Sequence, residues 1–192
     1  IKHFEGKKNF ICGGEESYGY LAGDFVRDKD AVISCALLSE AAAFAKDQGL
    51  TMYEQLLDIY RQYGFYKEKL ISVVKKGKSG AEEIQQMMQN FRKNPPREIN
   101  KCALVEVMDY TNPEHLQKAN VKNGGIVIPK SDVLQFVTSD GSIISIRPSG
   151  TEPKIKFYMG VKSDLKDIKD FESVNLLLDN KINGIINDLN LK

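Results

Sequence analysis

The run Arg147-Pro148-Ser149-Gly150-Thr151-Glu152-Pro153 constrains this chain more than any other stretch. It joins two segments patterned as strands, Ile143-Ile144-Ser145-Ile146 before it and Ile155-Lys156-Phe157-Tyr158-Met159 after it. Two such segments around one short loop predict an antiparallel pair, so a sheet must end at this loop. A plain connection needs only short polar residues. This one carries a guanidinium, two hydroxyls, a flexible Gly backbone and two prolines that fix φ. Arg147 offers a planar donor fork, Ser149 and Thr151 offer hydroxyls, and turned N–H groups around Gly150 suit an anion. A phosphate monoester takes such a donor set. Two readings stand: an anion-binding loop, or a tight hairpin turn that carries an unrelated charge.

The surrounding pattern predicts a layered fold. Leu70–Val74 reads as a strand closed by Gly77. Ser79-Gly80-Ala81-Glu82 has the form of a capping box opening a helix to about Arg92, with Ile84, Met87, Met88 and Phe91 as its buried stripe. Asn94-Pro95-Pro96 stops that helix. Strands are expected over Cys102–Val107, Val133–Val137, Ser142–Ile146 and Lys154–Val161, with a hairpin turn at Ser139-Asp140-Gly141 and either a short strand or an extended segment at Ile126–Ile128. Asp109–Gly124 is polar and is expected to be irregular, with His115 on its surface. From Asp164 to Leu189 apolar residues recur every three or four positions, which predicts one long amphipathic helix or two in line. Helices on one face of a mainly antiparallel sheet make an α+β class.

The first third is patterned differently. Phe4–Gly13 reads as a strand that ends at the flexible pair Gly13-Gly14. Glu15-Glu16-Ser17 then presents two carboxylates and a hydroxyl between Tyr18 and Tyr20, either a set of sugar-hydroxyl acceptors or an exposed acidic turn. Asp24–Asp30 alternates charge and suits a solvated helix start. Ala31–Lys46 is expected to be a helix with Val32, Ile33, Leu37 and Leu38 available for burial. Thr51-Met52-Tyr53-Glu54 is a capping box opening a second helix that Gly64 ends. The predicted division is residues 1–64 and 65–192, with Phe65-Tyr66-Lys67-Glu68-Lys69 as a polar linker.

Two of these stretches together carry a resemblance. Arg147-Pro148-Ser149-Gly150-Thr151-Glu152-Pro153-Lys154-Ile155-Lys156-Phe157-Tyr158 resembles the phosphate-binding loop in the last domain of the alpha-D-phosphohexomutases. Cys12-Gly13-Gly14-Glu15-Glu16-Ser17-Tyr18-Gly19-Tyr20, followed by Gly23–Ala31, resembles the sugar-binding loop of their third domain and the segment after it. The likeness runs through the chain in order and leans towards bacterial phosphoglucomutase/phosphomannomutase. It implies a TATA-box-binding-protein-like last domain preceded by the end of an α/β third domain. It assigns substrate binding to Glu15, Ser17, Arg27, Lys29, Arg147, Ser149, Gly150 and Thr151. The implied reaction interconverts hexose 1-phosphate and hexose 6-phosphate through a hexose 1,6-bisphosphate. A phosphopentomutase, a phospho-amino-sugar mutase or a non-catalytic phosphosugar-binding module are the alternatives.

The family's phosphoserine loop and its Asp-rich Mg²⁺ loop have no counterpart in this sequence. The chain is therefore expected to be a C-terminal piece, inactive alone, with Mg²⁺ held by preceding domains and glucose 1,6-bisphosphate as activator or intermediate. The phosphosugar and those preceding domains are its expected partners. A net charge of +1 with interspersed signs gives no reason to expect nucleic acid. No apolar run is long enough to span a membrane. Cys12, Cys35 and Cys102 are odd in number and far apart, which fits free thiols in a reducing, cytoplasmic setting. His3 and His115 stand apart, so no metal-ligand cluster is expected.

Overall fold

The computed structural model describes residues 5–15 and 19–191, and for Glu15 and Lys78 the backbone only. The chain divides into two compact units, residues 1–59 and 60–192.

In the first unit, β1 (Cys12–Glu15) and β2 (Gly19–Ala22) form an antiparallel hairpin, with Cys12 opposite Ala22 and Glu15 opposite Gly19. The sequence pattern predicted a strand starting at Phe4 and ending at Gly13; instead the pairing runs through both glycines to Glu15. The reason is local. Gly14 pairs with Tyr20, whose ring occupies the space a Cβ at Gly14 would need. Helix α1 (Ala31–Asp47) starts at Asp30, whose Oδ1 accepts from the N–H groups of Val32 (2.7 Å) and Ile33 (3.4 Å). Of its residues only Ala45 is buried; Val32, Leu37 and Leu38, expected in a core, are exposed. Helix α2 (Met52–Tyr63) opens with the predicted capping box: the Thr51 N–H donates to Glu54 Oε2 (2.7 Å) and the Glu54 N–H to Thr51 Oγ1 (3.1 Å).

The second unit is built on β3 (Phe65–Val74), α3 (Gly77–Lys93), β4 (Glu98–Ile99), β5 (Cys102–Asp109), α4 (Pro113–Lys122), β6 (Leu134–Thr138), β7 (Ile143–Pro148), β8 (Lys154–Ser163) and α5 (Phe171–Asp188). The strands make one antiparallel six-stranded sheet in the order β3-β8-β7-β6-β5-β4. Alternate residues of its central strands, Leu134, Phe136, Ile144, Ile146, Ile155, Phe157 and Met159, are fully buried. They form one core with Ile84 and Met88 of α3 and Leu178, Ile182 and Ile185 of α5. The result is the expected α+β layer with helices against an antiparallel sheet.

Several expectations about the second unit change. The polar run Phe65–Lys69 is no linker: it is the first half of β3 and pairs with β8 from Phe65–Ser163 onward. Phe65 is buried and stacks against the rings of both Tyr60 and Phe171, while Lys67 pairs with Asp179 at 2.7 Å. Helix α3 starts at Gly77, with no side-chain bond at its N-cap Lys76, so Ser79-Gly80-Ala81-Glu82 lies inside the helix and is not a capping box. Asp109–Gly124 is not irregular, because α4 forms there: Asn112 Oδ1 accepts from the Glu114 N–H (2.9 Å) and Pro113 occupies the first turn. The side chain of His115 on α4 is half-buried, and its Nδ1 accepts from the Asp109 N–H at 2.9 Å. Ile126–Ile128 forms no strand.

The last helical stretch is a 3-10 turn (Ile168–Asp170) followed by α5. Gly184 fits inside α5 because Asn100 packs against it, with Asn100 Oδ1 where a Cβ would stand.

Candidate functional site

Arg147 stands one residue from the end of β7, directly opposite Lys156 of β8. The buried residues Ile146 and Phe157 neighbour this pair, so strand alternation puts Arg147 and Lys156 on the opposite sheet face. Arg147 is exposed and Lys156 half-buried, its Nζ 5.9 Å from the centre of the Tyr158 ring. Like charges directly across an antiparallel pair disfavour the sheet, so the arrangement is unlike a stabilising hairpin pair. Among the described residues neither cation has a hydrogen bond or ion pair to a carboxylate. Glu152, the acid nearest in sequence, pairs instead with Lys154 at 2.6 Å. The Lys154 bond, and behind it the charge of that ammonium, hold the Glu152 carboxyl below its ordinary range.

The loop between them is tied by its own backbone. The Ser149 N–H donates to the Lys154 carbonyl (2.8 Å), and the Lys154 N–H to the Glu152 carbonyl (2.7 Å). The Lys75 N–H donates to the Pro153 carbonyl (2.9 Å), which pins the loop to the end of β3. Ser149 Oγ accepts from the N–H groups of Thr151 (3.4 Å) and Glu152 (3.3 Å). So Ser149 spends its acceptor on the turn, and its hydroxyl proton remains available. The Gly150 N–H and the Thr151 hydroxyl have no partner among the described residues. Gly150 is not in the left-handed region, and a Cβ there would meet nothing within 4 Å. The turn therefore does not itself demand glycine; the open space over the Gly150 backbone is what the missing side chain leaves. Arg147, Pro148, Ser149, Gly150, Thr151, Lys154 and Lys156 line a depression of about 290 Å³. Its wall has cations and N–H or O–H donors, the composition that holds a tetrahedral oxyanion.

The other predicted site residues lie in the first unit. Glu15 ends β1, with its backbone opposite Gly19, and Ser17 lies outside the described residues. Tyr20 stacks its ring over Gly14 and remains 54% exposed, so it is a surface residue of the hairpin and not core. Arg27 is held by Glu5 at 2.6 Å, and this bond raises the guanidinium and lowers the Glu5 carboxyl. The Lys29 N–H donates to Asp28 Oδ1 (2.7 Å), and its Cβ flanks Gly19.

Lys156 was missing from the residues singled out by sequence. The signal was present: counting outward from the loop along two alternating strands places position 156 opposite 147. Among the described residues no group of three or more His, Cys, Asp or Glu side chains is placed to hold a metal ion. These residues do not fit a Mg²⁺ site, and no step through a metal is assigned to them. Among the same residues no helix is long and apolar enough to cross a membrane.

The sheet order and its donor-rich end define the class: an α+β domain of the TATA-box-binding-protein-like kind, with an anion-shaped loop at a strand junction. Comparison with known proteins then gives the family. Residues 74–173 match the C-terminal domain of phosphoglucomutase/phosphomannomutase, and residues 2–63 match alpha/beta/alpha domain III of the same proteins. The chain belongs to the phosphoglucomutase/phosphomannomutase family. A phosphoglucomutase of Staphylococcus haemolyticus (strain JCSC1435) is 35% identical over 184 residues, covering 96% of this chain and 32% of that protein. One of Staphylococcus aureus (strain MRSA252) is 38% identical over 169 residues, covering 88% and 30%. This chain thus spans about a third of the length of the curated relatives it matches. Among solved structures, the open form of the exocytosis-sensitive phosphoprotein pp63/parafusin from Paramecium covers 90% of this chain and 30% of its own at 17% identity, with a TM-score of 0.48.

Proposed function

We propose that this chain is the substrate-holding C-terminal part of a hexose-phosphate mutase. The whole enzyme interconverts hexose 1-phosphate and hexose 6-phosphate through a hexose 1,6-bisphosphate intermediate. In this reading residues 65–192 hold the phosphate that is not being transferred, and residues 1–64 contact the sugar through Glu15, Ser17, Arg27 and Lys29. An intermediate that presents either phosphate in turn needs a clamp that recognises phosphate and ignores which sugar carbon bears it. Arg147, Ser149, Gly150 and Thr151 meet that requirement through a guanidinium fork, hydroxyl donors and a backbone N–H. Lys156 adds a second charge beneath the fork. Phosphoryl transfer itself, with its Mg²⁺, belongs to preceding domains of the enzyme.

One observation carries the reading: Arg147, Gly150 and Thr151 line one depression, and among the described residues the Arg147 guanidinium, the Gly150 N–H and the Thr151 hydroxyl have no hydrogen-bond partner. The test is a titration of the isotope-labelled chain with glucose 1-phosphate, and separately with glucose. Amide shifts at Gly150 and Thr151 that saturate with the phosphate ester and are absent with glucose are expected. Equal shifts with both, or none with either, overturn the clamp. A coupled assay with Mg²⁺ and glucose 1,6-bisphosphate is expected to show no turnover by this chain alone.

A further inference from the structure

The guanidinium of Arg92 spans two carboxylates. From the last turn of α3 its Nε donates to Asp109 Oδ2 at 3.0 Å, and its Nη2 donates to Asp132 Oδ1. Asp109 is saturated: its other oxygen accepts from the Thr111 N–H (2.9 Å) and the Thr111 hydroxyl (2.8 Å). Burial pushes the Asp109 carboxyl up, but the Thr111 and Arg92 bonds outweigh it and hold it below its ordinary value. Asp132 differs. Arg92 is its one bonded side-chain partner among the described residues, and its own side chain is 56% exposed.

Asp132 immediately precedes Val133 and β6, and it lines a depression of about 450 Å³ with Arg147, Pro148, Ser149 and Gly150. An exposed carboxylate therefore shares a depression with Arg147 yet is bonded to another arginine. Left to itself, an exposed carboxylate beside an unpaired guanidinium forms an ion pair readily, because the two side chains need only rotate. Such a pair would occupy the fork that a phosphate needs. Even without contact, its charge would oppose a dianion bound at the loop.

We propose that Arg92 is a positioning residue: it holds the Asp132 carboxylate off Arg147 and neutralises it, so that the guanidinium on β7 stays open to phosphate. The inference rests on the loop being a phosphate clamp. Arg92 suits the task because its planar fork reaches two acceptors at once. Asp109, locked by Thr111, anchors one side of the fork, and the other side is left for Asp132.

The test is a double-variant cycle on the 192-residue chain, with inorganic phosphate as the probe and the Gly150 and Thr151 amide shifts as the readout. Arg92→Gln is expected to weaken phosphate binding about three- to tenfold, the effect of one uncompensated charge at a wet site. Asp132→Asn alone is expected to change affinity by less than about twofold, because that charge is already neutralised. The double variant Arg92→Gln/Asp132→Asn is expected to return to within about twofold of the parent. Asp132→Asn cannot restore the lost bond to Asp109, so recovered affinity without recovered melting temperature separates positioning from a purely structural role. Should Arg92→Gln lose its dispersed spectrum, Arg92→Met takes its place in the cycle; it keeps an apolar stem and likewise leaves the Asp132 charge uncompensated.

A double variant as weak as the Arg92 variant overturns the proposal, as does an Asp132→Asn chain that binds phosphate several-fold more weakly than the parent. The Arg147→Lys chain is measured alongside. If it binds phosphate as tightly as the parent, the clamp reading falls and takes the proposal with it. If it binds more weakly while Asp132→Asn rescues nothing, only the role of Arg92 is lost.

Discussion

Arg147 and Lys156 face each other across β7 and β8, two cations in direct register on one sheet face, with no carboxylate bonded to either among the described residues. A hairpin selected for stability alone would place opposite charges there. In the proposed reading the pair is a site that a dianion completes.

Replacing Arg147 with Lys is therefore expected to lower affinity for glucose 1-phosphate by about tenfold or more, the loss of one charge-assisted bidentate contact. The melting temperature is expected to hold, since among the described residues Arg147 has no side-chain partner to lose. Calorimetric titration and thermal melting of the same sample check both. A clear fall in melting temperature with unchanged affinity would reverse the assignment.

Lys156→Met is expected to weaken binding as well, without a loss of stability. Phosphate affinity drops about three- to tenfold, with a shallower dependence on salt. The melting temperature stays level or rises, because like charges across a strand pair are removed while the side-chain stem is kept. Melting curves at low and high ionic strength read out the second effect.

Asp140 gives the second unit an acid-sensitive turn. It accepts from the Thr138 hydroxyl (2.6 Å), the Ser142 hydroxyl (2.9 Å), the Ser142 N–H (3.2 Å) and Lys181 Nζ (3.0 Å). Burial pushes this carboxyl up, but the bonds from Thr138, Lys181 and Ser142 outweigh it and hold it far below the ordinary value of 3.8. A depressed folded-state value means that the stabilisation is complete above pH 3.8 and is lost as pH falls below it. Asp140→Asn is expected to lower the melting temperature at pH 7 by about 3–6 °C, roughly 1 kcal/mol in a domain of this size. The difference from the parent is expected to shrink as pH is lowered from 4 towards 2. A constant difference across that range would show that the charge is not what matters.

Gly184→Ala sets helix propensity against a clash. Alanine in mid-helix gains about 1 kcal/mol over glycine, but its Cβ would collide with the Asn100 side chain. The substitution is expected to lower the melting temperature. In an Asn100→Gly background it is expected to raise it, because Asn100 sits at φ 49°, where glycine is unstrained. A stabilising effect in both backgrounds would mean that Asn100 rotates away freely.

Local pattern alone determined the parts of this protein that depend on neighbours in sequence. The period of α3 identified its buried stripe, with Ile84 and Met88 in the core. Thr51 and Glu54 announced their capping box, and the alternation of β7 and β8 required an antiparallel pair with a polar loop at its end. The same short-range logic named Arg147, Ser149, Gly150 and Thr151. Tertiary structure decided what depends on partners distant in sequence. Phe65–Lys69 looks like a linker until β8, about 90 residues further on, supplies its hydrogen bonds and α5 supplies Asp179 for Lys67. Helix α3 begins before its sequence cap because packing against the sheet outweighs the local bond that Ser79 offers. Lys156 reaches the depression lined by the loop only through strand register. Asp132, which no motif marks, reaches the depression beside Arg147–Gly150 because β6 lies beside β7, and α3 brings Arg92 to meet it. Charge placed by register and packing has no period in the sequence, and that is why the loop was legible there while Lys156, Asp132 and Arg92 were not.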